Sequence, residues 1–372
     1  MNATRCLRRR HGASFLPLLC ALLSAQLAMS ARAEPYIAVQ QGLACAQCHL
    51  NPTGGGARSV LGNAIAQTQI AARPLPPGAP AWSGALGDWF AAGGDLRAAA
   101  SWQQQPATAA HSNLTLEQAR AYLGISVIPG RLLLYIDEQL APDNAVNREA
   151  WVLYRFAALH AYLKAGRMYL PFGLRLQDQQ AYTRQVAGIN MDTPDNALEI
   201  GYQLGDWEAQ LALSGGLDGG SSSGSGQQFG LQAVRVVNRW RLGIGLDRND
   251  NPAARSTALA LFGGLRTGLL AWLAEVDAVQ AARSGASDAQ FAAALLECNW
   301  RVAPGANLKL TGEWLDPDRH RSGDRQQRLS LVFEYTPIPY LQLRAGARRS
   351  SVPQSTTSAD MSQGFIEVHA YF

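Results

Sequence analysis

The chain has 372 residues and a formal net charge of +4, with only 16% charged residues, 36 glycines and five cysteines. So low a charge density is unusual for a water-soluble domain of this size, and the three cysteines beyond residue 33 (Cys45, Cys48, Cys298) are too few for a disulfide framework. The positive balance is not a nucleic-acid face, because residues 1–33 hold five arginines and no acid, and their removal takes +4 to −1.

Residues 1–33 read as a secretory signal peptide. Arg5, Arg8, Arg9 and Arg10 form its positive start, Phe15 to Ala28 its apolar middle, and Ala31-Arg32-Ala33 an A-x-A cleavage site. The segment 34–66 contains Cys45-Ala46-Gln47-Cys48-His49. C-x-x-C-H is the attachment signature of c-type haem. Each thiol adds to one vinyl group of the porphyrin, and the adjacent imidazole becomes the proximal iron ligand. A structural zinc site would need two further ligands, and no second C-x-x-C pair occurs. A thioredoxin-like motif would need a βαβ context. The expected cofactor is therefore one c-type haem held by Cys45, Cys48 and His49.

Asn51-Pro52-Thr53-Gly54-Gly55-Gly56 follows. Pro52 stops a helix, and the glycines permit close backbone approach to a porphyrin edge or a barrel wall; a plain loop is the alternative. Val60 to Ala66 predicts one short helix, and residues 67–87 a Pro/Gly-rich linker that includes Arg73 to Pro80. The haem segment is too short to bury a haem in its own core, so the rest of the chain must cover it.

From residue 88 to 372 the pattern has period two. Leu242, Ile244 and Leu246 alternate with Arg241, Gly243 and Asp247, and Leu329, Leu331 and Phe333 with Arg328, Ser330 and Glu334. No stretch after residue 33 offers an uninterrupted apolar helix span, which leaves the closed barrel as the membrane option. Tight turns at Pro129-Gly130, Gly205-Asp206, Asn238-Arg239 and Pro304-Gly305 alternate with longer polar loops. The expected fold is all-β, a transmembrane antiparallel β-barrel of about sixteen strands. On this pattern Glu367, His369 and Tyr371 face the lumen, as do Arg241, Arg301, Arg344, Arg348, Glu297, Glu313 and Glu334, whereas Cys298 faces outward.

Lys164-Ala165-Gly166-Arg167-Met168-Tyr169-Leu170-Pro171-Phe172-Gly173 resembles the strand-and-loop motif of phosphate-selective-type porins, in which a long loop folds into the lumen. The final Val368 to Phe372 looks like the insertion signal of bacterial outer-membrane proteins. Taken together, the signal peptide, the early C-x-x-C-H and the barrel resemble the porin-fused monohaem c-type cytochromes of the bacterial outer membrane. That resemblance implies an electron conduit between a periplasmic cytochrome or other redox carrier and an extracellular metal or electron acceptor, in contact with outer-membrane lipid. It leaves open an Fe(II) oxidase or reductase activity. The sixth iron ligand must come from elsewhere in the chain: His369 or His160, both near the periplasmic rim, with Met168 and Met191 as the next choice. A passive solute or anion porin with a structural or sensory haem is the alternative.

Overall fold

The computed structural model describes residues 34–372, apart from 106–108, 190–192, 219–220, 223–225, 252–253, 284–287 and 352–359. The expected signal peptide, residues 1–33, and Met191 lie outside the described residues.

Sixteen strands form the wall: β1 (Phe90–Gln104), β2 (His111–Ile128), β3 (Leu132–Ala141), β4 (Val146–Phe156), β5 (Ala161–Met168), β6 (Asp195–Leu204), β7 (Trp207–Ser214), β8 (Gln227–Val237), β9 (Trp240–Asp250), β10 (Ala254–Thr267), β11 (Leu270–Arg283), β12 (Ala289–Ala303), β13 (Ala306–Asp316), β14 (Gln326–Ile338), β15 (Leu341–Ser351) and β16 (Met361–Tyr371). Each pairs antiparallel with its sequence neighbour, and β16 pairs with β1, from Tyr371↔Asp95 to Ser362↔Gln104. The ring therefore has no free edge, the condition a sheet must meet in hydrocarbon. A two-residue strand, Ala85–Leu86, adds to β1.

The period-two pattern is realised as expected. Leu242 and Ile244 are exposed on the outside while Arg241 and Asp247 are buried inside. Cys298, between Trp272 and Leu310 in register, lies on the outer face, and among the described residues no helix is long and apolar enough to cross a membrane. Arg301 keeps the lumen-side register, opposite Asn307, but is exposed because it sits where β12 runs out toward the turn at Pro304-Gly305. Exposed Trp89, Phe90, Trp207, Trp240 and Trp300 gather at the rim of short turns, an aromatic girdle of the kind found at membrane interfaces.

Two segments fill the lumen. The loop after β5 turns inward and buries Leu170, Phe172, Leu174 and Leu176 against Ala260, Phe262 and Leu273. Glu275 accepts the Leu174 amide at 3.1 Å, which fixes that turn. A short helix, α4 (Tyr182–Ala187), packs on β11 and β12. The second segment is residues 34–84, which enter from the short-turn rim. It comprises α1 (Pro35–Gln41), α2 (Cys45–Cys48) and α3 (Val60–Ile65), the last continued by a π turn at Ala66–Ile70. The helical stretch thus runs past residue 66, where the sequence suggested that the linker begins. Gln67 anchors the linker's return by bonding both Trp82 backbone groups, at 2.7 and 2.9 Å.

Candidate functional site

α1 starts with Pro35 at its first position, where a missing N–H costs nothing, and stops at Gly42, whose φ is 67°. Its Tyr36 hydroxyl donates to Glu334 at 2.9 Å, and Lys309 pairs with Glu34 at 2.7 Å. Arg266 on β10 donates to the Gln40 carbonyl at 2.6 Å. These contacts present the next turn, α2, to the lumen wall. The Gln47 side chain accepts the Ala44 amide at 2.8 Å and so caps α2. His49 then pairs with Arg58 in an isolated bridge, and Leu50 donates its amide to Ala57 at 3.0 Å. The stretch from His49 to Arg58 is therefore a closed loop with NPTGGG at its tip.

That loop is held against the barrel wall rather than left free. Asn51, fully buried, donates to both carboxylate oxygens of Glu149 at 3.0 Å and accepts from Thr53. Ala57 donates its amide to the Tyr135 hydroxyl at 3.0 Å, and Tyr135 stacks on Trp151 at 4.6 Å. Gly56, at φ +65°, has no room for a Cβ, which would collide with the Tyr135 hydroxyl. Gly62 on α3 is crowded in the same way against the Cys48 carbonyl. Of the two readings of the glycine run, close approach to the wall is the one that holds.

Cys45, Cys48 and His49 all line one lumen cavity of about 150 Å³. The glycine loop, α1, the inserted loop at Gly173 and Leu174, and β16 complete its walls. Four arginines reach it: Arg58, Arg97, Arg175 and Arg241. Arg97 is paired with Asp95 and Glu367. Arg241 lies 3.8 Å from Cys45 Sγ, Arg58 stacks over Tyr371 at 4.3 Å, and Arg175 donates to the Gly54 and Tyr169 carbonyls. Burial, with help from Arg58, pushes the His49 imidazole down to about 3, so the ring is neutral, the form a metal takes. Its Nδ1 is enclosed and has no hydrogen-bond partner among the described residues. Burial and the adjacent Cys45 thiol push the Cys48 thiol up.

The two histidines considered as a sixth ligand part company. His369 lines the same cavity, buried, with Nε2 3.0 Å from Asp95 and 3.1 Å from Arg97 and Nδ1 3.2 Å from Gln342. Both of its ring nitrogens are thus engaged. His160 stands exposed in the turn between β4 and β5 at φ 51°, and it does not line the cavity. Met168 is fully buried beside Tyr162 and Trp151, also away from the cavity walls. Sequence reasoning missed Arg58, Arg97 and Arg175 as cavity residues. Arg175 had one local signal, a lone cation inside the otherwise apolar run from Leu170 to Leu176.

No family model and no curated protein matches the chain. Solved structures do match. An anion-selective porin from Comamonas acidovorans aligns with a TM-score of 0.60 at 11% identity, over 76% of this chain and 99% of its own. The fold is that of the outer-membrane porins. The outer membrane channel DcaP of Acinetobacter baumannii aligns at 0.60 and 12% identity, over 76% of this chain and 97% of its own. OprB of Pseudomonas putida gives 0.56 and 10%, over 77% and 95%. The share of this chain left over matches in length the residues that precede β1 on the porin-type ring.

Proposed function

We propose that the chain is an outer-membrane cytochrome–porin fusion that passes electrons between the periplasm and extracellular donors or acceptors through one covalently attached c-type haem. The observation that carries this reading is the placement of Cys45, Cys48 and His49 side by side on the wall of one cavity inside the barrel. The residues suit the group. Two thiols would form the thioethers, the neutral His49 imidazole would be the proximal ligand, and Arg58, Arg175 and Arg241 would bring positive charge for the propionates. When bound, a haem supplies one-electron exchange at its iron. The chain's own part is to orient the C-x-x-C-H turn through Asn51–Glu149 and Tyr135, and to screen the cavity from lipid with the barrel wall. His369 is the distal-ligand candidate on this reading. Ligation would require its ring to give up Asp95 or Gln342.

The apolar outer face and the aromatic girdle support a place in a bilayer, with the short-turn rim toward the periplasm. The decisive test has two arms. Purified protein on a denaturing gel should retain haem stain in the wild type and lose it in Cys45→Ala/Cys48→Ala. In proteoliposomes, an impermeant reductant outside should bleach an oxidant trapped inside, and the same double variant should abolish that bleaching.

The likeness to an anion-selective porin, together with the arginine-lined lumen, favours a second reading: a solute porin for anions. On that reading small anions cross the bilayer at equal rates with and without the two cysteines, and no pigment survives denaturation.

A further inference from the structure

The short-turn rim is strongly one-signed. Arg73, Arg131, Arg239 and Arg301 are exposed there, with Arg155 and Arg266 half-buried, against the acidic side chains Asp88 and Asp206. Within this collar lies an apolar surface that neither the barrel nor the plug covers. Val60 and Leu61 on α3 are 65% and 43% exposed, and Ala64 is exposed beside them. This surface is joined directly to the haem-motif turn. The Ser59 amide donates to the Cys48 carbonyl at 2.9 Å, the Ser59 hydroxyl donates to the Gln47 carbonyl at 2.6 Å, and Gly62 packs against the same Cys48 carbonyl.

We infer that this face docks a small, acidic, water-soluble electron carrier, with Val60 and Leu61 at the centre of the contact and the arginines around it. The inference rests on the haem reading above for its purpose, but on the rim alone for its chemistry. A small apolar centre inside a charged border is the build of a transient redox encounter, which buries less than about 1,200 Å². A one-signed border steers an oppositely charged partner and raises its on-rate, an effect that fades with salt. Lipid headgroups are the other anionic candidates, but α3 lies inside the ring of strand ends, tied to Tyr340 through Asn63 and to the linker through Gln67. The cation placed for headgroups is instead Arg235, which stacks on the outward-facing Trp207 and Trp240.

The test uses the full-length protein in nanodiscs and two probes, a plant-type ferredoxin as the acidic carrier and a mitochondrial cytochrome c as the basic one. Ferredoxin should bind more tightly, and its binding should weaken about tenfold between about 20 and 300 mM salt. Arg73→Gln/Arg239→Gln/Arg301→Gln should weaken it by a similar factor at low salt, while haem stain and barrel heat-modifiability stay at wild-type level. Val60→Ser/Leu61→Ser should weaken the salt-resistant remainder. Equal binding of the two probes, or an unchanged triple variant, overturns the inference. So does a triple variant that loses only its retention in phosphatidylglycerol-containing discs, since the collar would then be a lipid contact. Salt-sensitive ferredoxin binding by a wild-type protein without haem supports the docking face and removes the haem reading.

Discussion

Asn51 shows how much of the lumen arrangement hangs on single polar contacts. Its amide is the partner of a buried carboxylate, Glu149, which also accepts the Tyr169 amide at 3.4 Å. Leaving a buried polar group short of a partner costs on the order of 1–3 kcal/mol, and more where the group is charged. Asn51→Ala should therefore loosen the loop from His49 to Arg58, read as new protease cleavage between residues 49 and 58 with the barrel intact. Gly56→Ala should do the same by collision with Tyr135, and Tyr135→Phe should restore part of the packing in that background because the clashing oxygen is gone. A Gly56→Ala protein as resistant as wild type would show that the wall yields. Lumen histidines teach a second lesson at this scale. Alternation told which way His369 points, because it sits two residues inside the end of β16. For His160, in the turn itself, no alternation applies, and the side chain went to solvent.

At the level of elements, the strands were legible because each is a local pattern: apolar out, polar in, and a tight turn every second connection. The inward loop was legible too, through its length and the motif from Lys164 to Gly173. The plug was not. Its helices are a turn or two long, and its anchors join residues far apart in the chain, such as Tyr36 to Glu334 and Lys309 to Glu34. No periodicity announces such pairs, so sequence reasoning could require shelter for the C-x-x-C-H motif without saying which wall would supply it. The inserted loop allows a direct test of its own anchoring. Asp178 pairs with Arg348, and although burial alone would raise its carboxyl, Arg348 and then Arg328 outweigh that and hold it at about 2. A carboxyl held below its ordinary 3.8 contributes stability in full above that value and loses it as the pH falls through about 2. Pepsin should therefore begin to cut the segment 169–194 between pH 4 and 2. In Arg348→Gln the cutting should begin at higher pH, and an unchanged onset would mean that the pair does not secure the loop.

For the whole molecule, two internal segments stand where a general porin keeps water. The N-terminal segment occupies the short-turn end and the inserted loop packs above it, and both line the cavity between them. Single-channel conductance should accordingly fall well below that of an open sixteen-strand porin measured in the same salt. Deleting residues 34–82 should raise it several-fold, and equal conductance in the two forms would mean that the segment does not obstruct the bore.

The same segment has a mechanical side. Its contacts reach β3 and β4 through Tyr135 and Glu149, β10 through Arg266, and β13 and β14 through Lys309 and Glu334. A hollow tube squeezed by the surrounding bilayer tends to flatten, and struts that join facing sides oppose this in the way spokes keep a rim round. The piece that carries the cysteine pair therefore also braces the tube, so any strain that ovalises the cylinder is transmitted straight to Cys45, Cys48 and His49.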